Sequence, residues 1–220
     1  MTPFALDVSH LLAGSLVLLS FMMLYQARMF GLINVFALHA VALVLAILWQ
    51  GYIQGASSLF ITATIALVVK AIVIPVSLRR IVIQLGVHRT IETVVGIGPT
   101  MLAGIGLVAL SMVVMLGVTT ESDPLAREDL ALALSVILLG LLMMVSRRNA
   151  VTQVIGFMSI ENGLILAAAG ARGMPLVEIS VAFSILVAFI VIGIFLFRIR
   201  ERFDTVDVQA LDRFRGEQSG

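Results

Sequence analysis

Long apolar runs separated by short polar breaks dominate the chain. A helix that crosses a bilayer takes about 20 predominantly apolar residues. Seven stretches qualify: 6–26, 32–50, 58–78, 97–118, 129–146, 150–170 and 175–198. The breaks carry helix punctuation. Pro99 follows Gly96-Ile97-Gly98 at the start of the fourth run, where a first-turn proline gives up no needed hydrogen bond. The polar loop TTESDPLARED, with Pro124, precedes the fifth run, and ARGMP parts the sixth from the seventh. The last run ends in FRIRER and a polar tail, FDTVDVQALDRFRGEQSG. The pattern predicts an all-α integral membrane protein of about seven transmembrane helices. It divides into a three-helix region with a linker (1–96), a four-helix region (97–200) and a tail (201–220). Segment 79–96 is amphipathic and is expected to lie along the cytoplasmic membrane surface. MTPFALDVSHLLAG lacks the basic region and cleavage site of a signal peptide, so the first run is expected to stay as a membrane helix.

Composition sharpens this. Charged residues are 12% of the 220 and hydrophobic ones 60%, against roughly 25% charged in a soluble domain. With no cysteine there is no disulfide framework, iron–sulfur thiolate or thiol nucleophile in this chain. The three histidines, His10, His39 and His88, are isolated in sequence and form no metal-ligand motif. No nucleophile–base pair or cofactor motif is visible. The chain reads as a non-enzyme, without a cofactor of its own and without a nucleic-acid partner.

The placement of charge predicts orientation. Arg28, Arg79, Arg80, Arg89, Arg147, Arg148, Arg198, Arg200, Arg202, Arg213 and Arg215 fall on one side of a seven-helix arrangement. Only Arg127 and Arg172 fall on the other. The positive-inside rule then puts the N-terminus outside and the C-terminus in the cytoplasm.

Ionisable groups inside the spans are the candidate chemistry. His39, Lys70 and Glu161 lie about 12, 12 and 18 Å from the cytoplasmic ends of their helices at 1.5 Å per residue. All three therefore sit near mid-membrane, beside Asn162, while Glu178 lies toward the outer face. A charge at that depth costs on the order of 2.5–3.5 kcal/mol and marks an interior pair or an ion path. Plainer readings exist. His39 reads also as a packed histidine, Lys70 as a snorkelling one, and Glu178 as a first-turn acid favoured by the helix dipole. Gly156, Ser159, Gly163 and Ala167 form a small-residue stripe that lets a neighbouring helix approach. Glu161 lies within its arc and is expected to face protein. Gly98, Gly104 and Gly106 read as packing or bending positions.

The run LLGLLMMVSRRNAVTQVIGFMSIENGLIL resembles the K-type small membrane subunit of respiratory complex I over 130–200. The resemblance rests on an apolar helix, Arg147-Arg148-Asn149 at a cytoplasmic turn, then Glu161 and Asn162 in the next helix. Over the whole chain the sequence resembles the hydrogenase-4 component E family. The features are Lys70 five residues before Pro75 in VVKAIVIPV, MPLVEI ahead of the last helix, and the tail with Asp207 and a terminal Arg-Gly. The resemblance implies a non-catalytic subunit of a redox-driven proton-translocating complex in a bacterial or archaeal inner membrane. Its partners would be antiporter-like membrane subunits, a membrane anchor subunit and hydrogenase-like redox subunits, which would hold the nickel–iron and iron–sulfur centres. Glu161, Lys70, His39 and Glu178 would form a mid-membrane proton pathway supported by Asn162 and Ser184. Arg147 and Arg148 would anchor the turn, in reach of lipid phosphate.

The sequence departs from the K-type pattern twice. The first key acid would align with Met158, but here it is Glu161, three residues on. In the last helix an acid is replaced by Ser184 or Phe189, according to register. Either Glu178 substitutes, or Ser184 holds water, or the path is interrupted. Two other classes stay open: a purely structural adaptor, and a subunit of a multi-subunit sodium/proton antiporter.

Overall fold

A computed structural model of the chain describes residues 3–84, 91, 95–118 and 124–170. The seventh expected run, with Glu178, Ser184 and Phe189, lies outside the described residues, as does the tail. The described residues form helices α1 (Pro3–Tyr25), α2 (Met29–Gln54), α3 (Ser57–Ala66), a π-helical segment (Leu67–Val73), α4 (Ile74–Gln84), α5 (Ile97–Val118), α6 (Pro124–Ser146) and α7 (Ala150–Gly170). Six spans among them are long and apolar enough to cross a membrane, because α3, the π segment and α4 run on as one, Ser57–Ile83.

Apart from the amphipathic α4, the helices are apolar on nearly every side, as expected of membrane spans rather than amphipathic surface helices. Large apolar side chains face outward, among them Leu11, Leu102 and Val145. The interior, apolar for the most part, also holds Lys70, Glu161, His39 and Asn162. That placement fits a lipid surround, where polar groups gain only from facing protein.

The ends follow local chemistry. The turn between α2 and α3 closes on Gly55, whose φ of 65° is left-handed; glycine takes it without a Cβ penalty. Asn149 begins α7, its Oδ1 accepting the Val151 amide hydrogen bond at 2.9 Å, a side-chain N-cap. The span Glu128–Ser146 agrees with the expected 129–146, and its helix α6 begins earlier, at Pro124, with proline in the tolerated first position. One expected boundary moves. The third span does not stop at 78: Arg79 and Arg80 continue it to Gln84, with Leu78 and Val82 buried beneath them. So 79–84 belong to the span's helix rather than to a separate surface segment. Further on, the Ile91 amide bonds the Ala27 carbonyl at 2.9 Å, bringing residue 91 back to the α1–α2 turn.

Helix α2 packs against α1, α3, the π segment, α4 and α7, while α6 bridges α1, α5 and α7. The α6–α7 contact is the closest. A Cβ on Gly140 would fall 2.9 Å from both the Gly156 carbonyl oxygen and the Ile160 backbone nitrogen. One on Gly163 would fall 2.6 Å from Ile137 Cγ1 and 3.0 Å from the Ala133 carbonyl oxygen. Backbone meets backbone here, so the expected small-residue stripe is a helix-packing seam. Gly104 likewise faces the Phe21 ring, whereas Gly98 and Gly106 have open space. Gly140→Leu or Gly163→Leu is therefore expected to part α6 from α7, at an overpacking cost of about 1–3 kcal/mol or more. Loss of the chain from the detergent-solubilised monodisperse fraction would report it; unchanged yield and melting of both variants would contradict it.

Arg147 pins this pair to α1. It is 2% exposed, and its guanidinium donates to the Leu24 carbonyl in the last turn of α1. Burial pulls its pKa below the usual arginine value. The Arg147 carbonyl accepts from Gln153 Nε2 at 3.1 Å. Arg147 thus anchors the turn inside the protein, on a helix C-terminus. Arg148 is exposed.

Candidate functional site

The three mid-depth ionisable residues meet in one buried chain of side chains. Lys70 comes from the π segment, and Glu161 and Asn162 from α7. Lys70 Nζ lies 3.2 Å from Glu161 Oε2 and 2.7 Å from Asn162 Oδ1. Asn162 Nδ2 lies 3.0 Å from His39 Nδ1 on α2. His39 Nε2 lies 3.2 Å from Ser20 Oγ on α1, which donates to the Leu16 carbonyl at 2.9 Å. None of the five side chains reaches the surface: Lys70, Glu161 and Ser20 are 2% exposed, Asn162 and His39 0%. The snorkelling reading of Lys70 is excluded, since its ammonium ends on α7.

The π segment has a local cause. Pro75 has no N–H and its ring would crowd the carbonyl four residues back, that of Ala71. Directly before it, the Ile74 amide reaches five residues back, to the Val69 carbonyl. The widened turn makes room for the proline, as such bulges do, often at functional positions. It also carries Lys70. Lys70 and Pro75 are thus parts of one device, which a strict α-helical reading of VVKAIVIPV does not reveal.

Donor chemistry gives the chain a direction. An ammonium only donates, so Asn162 Oδ1 accepts from Lys70. The amide nitrogen then faces His39 and donates to Nδ1. His39 must accept there and carry its proton on Nε2, which it donates to Ser20. Ser20 in turn donates to Leu16. A single amide orientation and a single histidine tautomer satisfy every link. Ser20 had no sequence signal beyond being a serine in an apolar helix.

The Lys70–Glu161 pair is the part whose chemistry allows a proton to change hands. Ammonium and carboxylate form an ion pair at 3.2 Å, so one proton moving from Nζ to Oε2 leaves a neutral amine beside a neutral acid. In a low-dielectric interior both arrangements avoid an isolated charge, so the pair can hold a proton in two places. Glu178 and Ser184, also expected in the pathway, lie outside the described residues.

A second ionisable group, not anticipated from the sequence, joins α1 to α6 at the end away from Arg147. His10 Nδ1 is 3.3 Å from Glu128 Oε2, and Nε2 is 3.7 Å from Asp129 Oδ1. These residues are far apart in sequence, so only the packing of α1 on α6 reveals them. No group of three or more candidate ligands able to hold a metal ion occurs among the described residues.

No protein-family model and no solved structure matches the chain. Among curated proteins, it is 27% identical to an uncharacterised protein of Mycobacterium tuberculosis, over 92% of this chain and 94% of that protein. It is 36% identical to hydrogenase-4 component E of Escherichia coli, over 54% of this chain and 57% of that protein. Hydrogenase-4 component E of Shigella flexneri matches to the same extent. The match to component E thus spans little more than half of either chain.

Proposed function

We propose that this chain is a non-catalytic membrane subunit of a hydrogenase-4-like, complex-I-related complex that couples redox chemistry to proton movement. The observation that carries the reading is the fully buried Lys70–Glu161 pair, which lies between helices in the middle of the spans. A structural protein gains little from such a pair, because well-packed apolar residues of similar volume are as good or better. A proton path uses it, because each partner can take up what the other releases. The similarity to component E agrees with this. Glu161 and Lys70 exchange the proton, and Asn162 holds Lys70 in place. Arg147 fixes the turn to α1. Orientation follows the arginine asymmetry, with the N-terminus outside, in an inner membrane.

The rival reading is an adaptor that uses these residues as interhelical glue worth about 0.6 kcal/mol each. The glycine seam of α6 and α7 favours it to the extent that close packing is what the chain contributes.

Mass-spectrometric composition of the complex that purifies with this chain in mild detergent is the direct test. A nickel–iron hydrogenase-like pair and antiporter-like subunits are expected. Antiporter-like subunits without any redox partner would overturn the assignment and point to sodium/proton exchange.

A further inference from the structure

We infer that Asn162 blocks proton transfer between Lys70 and His39, so that His39 acts as a positioning residue and not as a proton carrier. The inference rests on the proposed proton role of Lys70 and Glu161 and deepens it. It stands on the geometry of three hydrogen bonds. Asn162 is the only link between Lys70 and His39 that the described residues provide, at 2.7 Å on one side and 3.0 Å on the other.

An amide relays a proton poorly. To pass one from Lys70 to His39, Oδ1 would gain a proton as Nδ2 lost one. The C=O and C–NH2 bonds would become C–OH and C=NH. The product is an imidic acid, with the lysine left as a neutral amine and the histidine as an imidazolium. Resetting the amide needs either the reverse transfer or a rotation that breaks both hydrogen bonds together. Both happen inside a site where all three side chains are at most 2% exposed, so bulk solvent does not replace the lost bonds.

The far end of the chain points the same way. Beyond His39 the hydrogen bonds run to Ser20 and stop at the Leu16 carbonyl. A backbone carbonyl inside a helix accepts a hydrogen bond but carries no proton onward. The His39 arm therefore has no exit among the described residues. What it does is hold: Ser20 orients the imidazole, the imidazole fixes the amide, and the amide keeps its oxygen on Lys70. The Lys70 proton is left to move toward Glu161 and not toward His39.

Two substitutions separate positioning from conduction. In His39→Gln the new side-chain carbonyl can still accept from Asn162 but carries no proton. In His39→Leu both abilities are lost. Proton uptake is measured in vesicles containing the intact complex, with Glu161→Gln as the reference for a broken path. His39→Gln is expected within about threefold of wild type, and His39→Leu about tenfold lower, the scale of one lost hydrogen bond to a charged group's partner. Nitrogen-15 NMR of the labelled histidines is expected to show His39 protonated on Nε2, a preference lost in Asn162→Leu. If His39→Gln is as inactive as Glu161→Gln, His39 carries protons and the inference falls while the proton role of Glu161 stands. Wild-type uptake by His39→Leu removes the positioning role. If Glu161→Gln itself retains full uptake, the proposed function fails first, and that outcome is recognisable without any His39 variant.

Discussion

Glu161→Gln is expected to remove the proposed coupled proton movement and to leave the complex assembled. The amide has nearly the shape of the carboxyl, and its oxygen can accept from Lys70 Nζ, which lies 3.2 Å from Glu161 Oε2. What it cannot do is take up the lysine's proton. Losing a group that transfers a proton typically lowers a rate by about 10²–10⁴-fold, and a fall of at least about 10²-fold in redox-driven proton uptake is expected here. The packing around the site should hold, since Glu161 is buried and faces Lys70, outside the arc of the small-residue stripe, whose glycines face α6 from the other side of α7. Uptake in vesicles, quantified against the amount of assembled complex, is the measurement. Normal uptake would leave Glu161 as interhelical glue and favour the adaptor reading.

Lys70→Met carries the largest expected loss of stability. Methionine fills the volume of the lysine stem, so the change removes charge and donor capacity with little change of packing. Glu161 then loses its counter-charge, and Asn162 Oδ1 loses the donor 2.7 Å away. Breaking a buried pair on one side costs about 3–5 kcal/mol, whereas replacing both partners with apolar residues is often neutral. Lys70→Met alone is therefore expected to melt earlier in detergent, and the double variant Lys70→Met/Glu161→Leu to recover most of that loss. The non-additivity is the signature of the contact. If the two single changes simply add in the double variant, the pair contributes nothing as a pair. Proton uptake should be absent from both the single and the double variant, which separates its role in stability from its role in conduction.

Much of this could be read along the chain. Runs 97–118 and 150–170 match α5 and α7 in extent, because apolar length and the polar residues at each end act locally. The depth of Lys70, Glu161 and His39 follows from counting residues at a fixed rise, and all three join one chain of contacts. The α4 boundary was missed because Arg79 and Arg80 look like a membrane exit, yet their helix continues over buried Leu78 and Val82. The π segment was missed because periodicity assumes one register, and the proline five residues after Lys70 changes it.

The sequence by itself determined six segments long and apolar enough to span, and how far along its helix each described polar residue sits, since both depend only on residue spacing within one helix. Tertiary structure alone decided who touches whom. Asn162 lies between Lys70 and His39 because α7 packs on α2, and α2 beside the π segment. Ser20 closes the chain, and His10 meets Glu128, because α1 packs on both α2 and α6. Those rotations are set by contacts between residues far apart in sequence, chiefly the backbone approach at Gly140, Gly156 and Gly163, and no local pattern encodes the angle at which two helices meet.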